Sequence, residues 1–432
     1  MTVQSGVQGR ATALPQADAI NWRVVVLASL GAGLEFYDFI IYGIFAQYIA
    51  ATFFPSHDQM VSLISAFAVF AIGYLSRPLG GLVFSHVGDR AGRRRSFMAS
   101  LLIMTGVTLA MAVVPGYATI GLAAPLIFTA LRFIQGLCVG GEMPGALTYV
   151  VETAPRRAGL ACGIVIFCAN TGVFLGTSIS ALLHGVLEPA GMEDYGWRIA
   201  FAVGGLLGAI SVLLRRALAE TPAFRAMQQR PARLPALEIV RRFPGPLLVG
   251  IGMAALVQAY NGLVMVALTP YLSKVAGYDP ATASFAVNVA VGLLSVAILA
   301  IGWAGDAVPR RWLHRLGAAA ITLGAYPAYQ AMIGHSVDIV LLLAATGLVG
   351  AFANGTFGAL LTDLFPTEVR FSGVALAYNI AAAIFAGLSA LITTWLLSAT
   401  GDPASPGLYL AAVAAFAFLA GLFHRRYAVR LE

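Results

Sequence analysis

Charge is scarce in this sequence: 10% of its 432 residues are Asp, Glu, Lys or Arg, against roughly 25% in a soluble globular domain. A surface built from so few charges excludes a water-soluble globule. Cysteine is scarce as well. Cys138, Cys162 and Cys168 all fall within apolar runs and show no CxxC spacing, which excludes a disulfide framework and a cysteine metal site. No metal and no cofactor is therefore expected. Catalytic signatures are missing too: there is no HExxH, no GxSxG and no P-loop, which argues against a membrane-embedded enzyme and against an ATP-driven pump. Nor is a cleavable leader visible, since the first twenty residues are polar and the first apolar run is too long for a signal-peptide core. The first helix is expected to stay as an anchor.

What the chain does have is apolar length. Hydrophobic residues make up 59% of it, in runs close to the ~20 residues that a hydrocarbon core of roughly 30 Å demands of a helix. The runs predict spans near Val24 to Tyr48, Met60 to Phe84, Phe97 to Val114, Gly121 to Val150, Leu160 to Leu183 and Trp197 to Leu214. A second set runs near Pro246 to Tyr271, Ala281 to Trp303, Leu316 to Met332, Ile339 to Leu364, Phe371 to Leu397 and Pro406 to Phe423. The fold class is all-α integral membrane, with twelve transmembrane helices.

The formal charge of +7 does not point to nucleic acid, because the arginines sit at helix ends and form no continuous basic face. They report topology. With a cytoplasmic N-terminus, Arg90/Arg93/Arg94/Arg95, Arg156/Arg157, Arg215/Arg216, Arg225 through Arg242, Arg310/Arg311/Arg315, Arg370 and Arg425/Arg426/Arg430 all fall inside. Arg198 and Lys274 remain outside. That asymmetry is the positive-inside rule, and it predicts a multi-pass protein of the plasma (inner) membrane with both termini cytoplasmic.

The polar, Arg- and Pro-rich stretch from Arg215 to Pro246 divides six spans from six. The expected organisation is a cytoplasmic tail over 1–20, a six-helix bundle over 21–216, a linker over 217–245, a second bundle over 246–424 and a tail over 425–432. The halves also echo one another. Asp89-Arg90-Ala91-Gly92-Arg93-Arg94 is answered by Asp306-Ala307-Val308-Pro309-Arg310-Arg311, and Gly145-Ala146-Leu147 by Gly358-Ala359-Leu360. Half-chain repeats are a mark of transporters whose halves rock about a site near the bilayer midplane.

The loop Ser85-His86-Val87-Gly88-Asp89-Arg90-Ala91-Gly92-Arg93-Arg94 resembles the signature between helices two and three of the major facilitator superfamily, with Ser85 where Gly is usual. The second copy carries Pro309 where Gly is usual, so its turn must be built differently. Further motifs are Glu35-Phe36-Tyr37-Asp38-Phe39, Arg77-Pro78-Leu79-Gly80-Gly81, Arg132-Phe133-Ile134-Gln135-Gly136, Gly140-Gly141-Glu142, Gly196-Trp197-Arg198, Glu220-Thr221-Pro222-Ala223-Phe224 and Phe365-Pro366-Thr367-Glu368-Val369-Arg370. Together they resemble the metabolite:proton symporter family. Tyr48-Ile49-Ala50 leading to Phe53-Phe54-Pro55, and the ending from Thr400 to Gly407, are most similar to its citrate and tricarboxylate carriers. The resemblance implies the major facilitator fold of two six-helix bundles and proton-coupled uptake of a small metabolite.

An ionisable side chain at the bilayer centre costs about 2.5 to 3.5 kcal/mol on the insertion scale, so each such residue needs a reason. Glu35 and Asp38 share one face of the first helix, with Tyr42 a turn later on the same stripe. A poorly solvated carboxyl can take a proton on one side of the membrane and release it on the other; the rival reading is a permanent pair with a buried arginine. Arg77 lies twelve positions before Asp89, roughly 18 Å in from the loop, and its planar guanidinium suits an anionic substrate or an acidic neighbour equally.

Arg132 belongs to an RxxQG pattern that the resemblance associates with proton coupling. Glu142 is a third buried acid, with a network to Arg156 and Arg157 as the plainer alternative. The proton-coupling candidates are therefore Glu35, Asp38, Arg132 and Glu142. Substrate contacts are expected from Arg77, Tyr37 and Tyr42, and from Asn354, Tyr378 and Asn379 among the uncharged polar groups of the second half. Asp89, Arg90, Gly92, Arg93 and Arg94 read as a gating loop. Arg198 either meets incoming anions or snorkels to the interface. The expected function is symport of a small carboxylate (citrate, tricarboxylate or dicarboxylate) with protons, by a monomer in the lipid bilayer. The rival is a zwitterion such as proline or betaine, or another small metabolite.

Overall fold

The computed structural model describes residues 20, 22–216, 218–221 and 235–429, and every regular element among them is helical. Most of the N-terminal tail, the linker from Pro222-Ala223-Phe224 through Arg225 to 234, and Arg430 with the last two residues lie outside the described residues. Helices are the expected solution, because a segment in hydrocarbon must satisfy its own backbone N–H and C=O groups.

The first six spans are α1 (Trp22–Ile44), α2 (Val61–Ala91), α3 (Arg93–Val113), α4 (Ala123–Thr153), α5 (Ala158–Val186) and α6 (Trp197–Arg215). The second six are α7 (Pro244–Met265), α8 (Pro280–Ala304), α9 (Arg310–Ile333), α10 (Ile339–Asp363), α11 (Arg370–Thr400) and α12 (Ser405–Tyr427). Eleven of these are apolar enough along their length to cross a membrane. The twelfth, α9, is long enough at 24 residues, but Arg310, Arg311, His314 and Arg315 fill its first turns. Its apolar part corresponds to the span predicted from Leu316.

Local chemistry sets the ends. Asp279 caps α8 by accepting from the Ala281 and Thr282 N–H groups at 3.1 Å, and Asp338 caps α10 through Val340 and Leu341 at 3.0 Å. Between α2 and α3 the chain turns on Gly92, whose φ of 116° is open to glycine and strained for other residues. In the second copy of this loop, Pro309 has φ −54° and leads into α9 after a turn over the preceding residues. The two turns differ as the Gly-to-Pro exchange requires.

The packing repeats with a step of six. α1 lies on α5, α2 on α4 and α3 on α6; in the second half α7 lies on α11, α8 on α10 and α9 on α12. The seam between halves is made by α2 with α11 and by α5 with α8. The arginine-bearing loops gather at one end of this bundle. At the opposite end of the first half an aromatic cluster of Phe53, Phe128, Trp197 and Phe201 closes the core.

Two irregularities position the site. α2 is interrupted at Ser76 between Gln59–Leu75 and Arg77–Ala91, because Pro78 has no N–H to give and its ring crowds the carbonyl four residues back. α7 runs out into a wide π-turn at Gly262–Ala267, and α11 contains one at Ala382–Ala386.

Candidate functional site

The break at Ser76 sets Arg77 in the interior, 5% exposed, with its guanidinium carbon 4.3 Å from the centre of the Tyr74 ring and 4.8 Å from that of Phe39. Cation–π stacking of this kind holds a guanidinium flat without neutralising it. Among the described residues Arg77 has neither a hydrogen bond nor an ion pair. Glu35 shares its cavity. It is 1% exposed, and both of its carboxyl oxygens lack a hydrogen-bond partner among the described residues.

The cavity they share has a volume of ≈ 40 Å³ and lies between α1, α2, α5, α7 and α11. Gln258, Asn261 and Tyr378 bring polar groups to it from the second half; Gly262 and Ala386, from the two π-turns, complete its wall. Gln258 Nε2 and Asn261 Oδ1 are buried there without partners among the described residues. At this volume the space holds a water or two, so entry of a larger solute requires the halves to part.

A smaller space connects Glu35 and Arg77 to Asp38 and Arg132. Arg132 Nη1 donates to Gln135 Oε1 at 2.5 Å, Gln135 Nε2 donates to Thr108 Oγ1 at 3.0 Å, and Thr108 Oγ1 donates to Asp38 Oδ2 at 2.6 Å. The second Asp38 oxygen has no partner among the described residues. Arg132 stacks over Tyr42, its carbon 4.4 Å from the ring centre. Both arginines are therefore steadied by aromatic faces, and among the described residues neither is paired to an acid.

Glu142 is different. Its Oε1 accepts from Arg215 Nη1 at 2.5 Å and its Oε2 from Ser100 at 3.0 Å, while Arg215 also donates to the Leu27 and Ala28 carbonyls. The partner is Arg215, at the end of α6, instead of Arg156 and Arg157. This fully bonded pair ties α4, α6 and α1 together.

Four residues that the sequence nominates as ligand contacts lie off the cavity and spend their donors on carbonyls elsewhere, although Asn379 Oδ1 is buried without a partner among the described residues. Tyr37 donates to the Ala200 carbonyl and Tyr42 to that of Ala66, both at 2.9 Å. Asn379 donates to the Gly140 carbonyl at 2.7 Å, across the seam. Asn354 donates to the Gly350 carbonyl at 3.0 Å and accepts from Asn261 at 3.3 Å, so it backs a cavity residue without reaching the cavity. Tyr378 does line it. Arg198 also has a local task, donating to the Ala112 and Val114 carbonyls at the end of α3.

The gating-loop residues meet at the arginine-rich end of the seam. Asp89 pairs with Arg93 and accepts from both the N–H and the hydroxyl of Ser372, at 3.0 and 2.6 Å. Arg93 donates to the Thr367 carbonyl at 2.8 Å, and Arg370 to Glu152 at 3.1 Å. The repeat holds here too: Asp306 accepts from the N–H groups of Gly159 and Leu160, at 2.7 and 3.1 Å, and pairs with Arg310 at 3.1 Å. Each half thus sets an aspartate on the first turn of a helix in the other, where N–H groups and the helix dipole favour an anion. Arg90 and Arg94 stay exposed, Arg90 beside His86 and Arg94 against the Arg216 carbonyl.

Sequence reasoning misses several of these partners. Thr108, Arg215, Ser372 and Tyr74 carry no local signal beyond, for Tyr74, its spacing of three before Arg77. Glu220 and Thr221 stand in a quoted motif without a role; Glu220 accepts from the Arg93 N–H at 3.1 Å and Thr221 donates to Glu152 at 2.7 Å.

The sequence profile of the Major Facilitator Superfamily matches residues 28–260, more than half of the chain, and that of Sugar (and other) transporter matches residues 234–425. The chain belongs to the major facilitator superfamily. It is a multi-pass membrane transporter and not an enzyme. This transporter is similar to a citrate-proton symporter of Klebsiella pneumoniae, 32% identical over 417 residues that cover 94% of this chain and 93% of that one. It is equally similar to a putative proline/betaine transporter of Staphylococcus aureus (strain COL), 31% identical over 406 residues, 92% of this chain and 86% of that one. Among solved structures, the proton:xylose symporter XylE bound to 6-bromo-6-deoxy-D-glucose shares the fold, with a TM-score of 0.75 at 18% identity over 94% of this chain and 95% of XylE.

Proposed function

We propose that this transporter carries a small organic acid, of the citrate, tricarboxylate or dicarboxylate class, together with protons, by alternating access between a bundle of residues 21–216 and one of residues 246–424. One observation carries the reading: Arg77 and Glu35 share a buried cavity, and among the described residues neither has a hydrogen-bond or ion-pair partner. A buried charge without a counter-ion is costly. A substrate carboxylate removes that cost by taking two parallel hydrogen bonds from the guanidinium, while Gln258, Asn261 and Tyr378 address its remaining oxygens.

Glu35 and Asp38 are the proton carriers in this scheme. Arg132 acts on Asp38 through Gln135 and Thr108, and Glu142 is left as a clamp with Arg215. The name of the Klebsiella relative supports both halves of the reading. Energetics support it too, since an anion entering a negative-inside cell works against about 2.3 kcal/mol per charge per 100 mV, and accompanying protons cancel that penalty. The arginine-rich end is cytoplasmic by the positive-inside rule, so the protein sits in the inner membrane with both termini inside, and the Asp89–Ser372 contacts close that side. The protein works as a monomer.

The second reading is a zwitterion, with its carboxylate on Arg77 and its cationic end on Glu35. The presence of an acid and a base in one cavity favours it, as does the name of the Staphylococcus relative. Uptake of labelled citrate into proteoliposomes under an imposed pH gradient, with unlabelled di- and tricarboxylates, proline and betaine as competitors, separates the two. Competition by carboxylates alone supports the organic acid; competition by proline or betaine alone removes it.

A further inference from the structure

One atom of the buried cavity has its chemical role fixed by a residue behind the wall. Asn354, 2% exposed on α10, donates from Nδ2 to the Gly350 carbonyl at 3.0 Å. A carbonyl oxygen only accepts, so the nitrogen of this amide must face Gly350 and its oxygen must face the other way. That oxygen lies 3.3 Å from the amide of Asn261 on α7. An acceptor there demands a donor, so Asn261 turns its Nδ2 to Asn354. What Asn261 has left is Oδ1, which is buried without a partner among the described residues, on a residue that lines the cavity.

The polarity of the wall follows. Arg77 and Gln258 Nε2 bring donors that have no partner among the described residues, and both suit ionised oxygens. Asn261 Oδ1 has the opposite need, a ligand atom that carries hydrogen. An ionised carboxylate has none to give. Glu35 is purely an acceptor only while it is ionised, whereas an amide oxygen accepts at every stage of a transport cycle. Under alternating access Gly350, Asn354 and Asn261 all belong to the second bundle, so the halves part without breaking this relay.

We propose that the solute is a hydroxy acid whose hydroxyl donates to Asn261 Oδ1 while a carboxylate sits on Arg77, and that Asn354 is the positioning residue that sets this requirement. The inference rests on the organic-acid reading given above and narrows it to acids that bear a hydroxyl. An acid of the same skeleton without that group leaves the Asn261 oxygen desolvated and unmet. A site built around a substrate hydroxyl rejects the analogue that lacks it for this reason.

Titration calorimetry on the purified full-length protein tests it with two matched pairs of probes, citrate against propane-1,2,3-tricarboxylate and malate against succinate. In the pair that binds better, the hydroxylated acid should bind roughly 10-fold or more tighter. Asn261→Ala removes the acceptor and should bring the two affinities near parity. Asn354→Leu releases the Asn261 amide to turn its nitrogen inward, so it should reduce the preference by tightening the acid without the hydroxyl, a gain that mere loss of packing does not produce. A ratio of affinities within one preparation does not depend on how much of it is folded, and Asn261→Ala carries the test should Asn354→Leu fail to fold. Parity in the wild type, or a preference unchanged in either variant, overturns the inference and leaves the organic-acid reading in place. Failure of all four acids to bind, with proline or betaine bound instead, removes that reading and the inference with it.

Discussion

Arg370, the first residue of α11, donates to the Glu152 carboxylate near the end of α4 at 3.1 Å, and Arg93 from α3 reaches the same oxygen at 3.4 Å. One acid of the first half thus gathers an arginine from each half. Thr221 holds its other oxygen at 2.7 Å. Removing the acid leaves two buried guanidinium groups facing each other across the seam.

Glu152→Gln should therefore shift the transporter toward forms open at the arginine-rich end. Loss of one member of a buried pair costs roughly 3 to 5 kcal/mol, enough to invert a two-state equilibrium whose gap is a few kcal/mol. Spin labels on the adjacent ends of α4 and α11 should report a longer distance in the variant. An unchanged distance distribution would show that the acid has no latching role.

Arg77→Ala should abolish uptake while the protein still inserts and folds. Arg77→Lys keeps the charge but loses the planar fork and its stacking on Tyr74, so binding should weaken by roughly 10-fold or more, the equivalent of one charge-assisted hydrogen bond. Substrate affinity measured calorimetrically on the purified variants checks both. Wild-type affinity in Arg77→Ala would remove this residue from the binding site.

Glu35→Gln and Asp38→Asn should uncouple transport from the proton gradient. In the variant that has lost the coupling acid, a pH gradient should no longer drive accumulation, whereas exchange of internal for external substrate at equal pH should continue. The assay is the same proteoliposome run in both modes. Gradient-driven accumulation in both variants would leave the coupling group elsewhere.

Glu142→Gln should behave otherwise. Because Glu142 neutralises the buried Arg215, its loss should destabilise the protein by about 3 to 5 kcal/mol and leave gradient dependence intact in the fraction that folds. A thermal melt in detergent and the gradient assay together decide this. Unchanged melting with lost coupling would return Glu142 to the proton path.

Gly172→Ala should disturb the crossing of α1 and α5. A Cβ there would lie 1.8 Å from the Gly33 carbonyl oxygen, which is backbone and cannot swing aside. Overpacking of this kind costs about 1 to 3 kcal/mol, to be read as a lower melting temperature. Gly106→Ala, where a Cβ meets nothing within 4 Å, is the control and should melt like the wild type.

The fold was legible because its determinants are local and repeated: apolar length, arginines at alternate helix ends, and an aspartate–arginine loop that recurs in each half. The depth of Arg77 followed from helical rise alone, and the structure places it in the interior. The partners were another matter. Tyr37 and Tyr42 share a stripe with Glu35 and Asp38 in the sequence, yet their hydroxyls go to Ala200 and Ala66. Which carbonyl a hydroxyl finds depends on how neighbouring helices cross. Asn379 shows the same in the second half: its amide serves the Gly140 carbonyl across the seam, a contact that spacing within one helix cannot reveal. For Glu142 the sequence offers Arg156 and Arg157 as partners because they are near in the chain, whereas its counter-ion comes from 73 residues away.

The wide turns in α7 and α11 have a mechanical meaning. A regular helix kinks sharply only where its i to i−4 ladder is interrupted, and in hydrocarbon a broken bond has no water to make it good. At Gly262–Ala267 and Ala382–Ala386 the regular ladder is already interrupted, directly beside the cavity. In the alternating-access cycle proposed above, the segments beyond these turns would pivot there as short levers at the mouth farthest from the arginine-rich end, while the remaining stretches of the same helices keep their contacts with the first half.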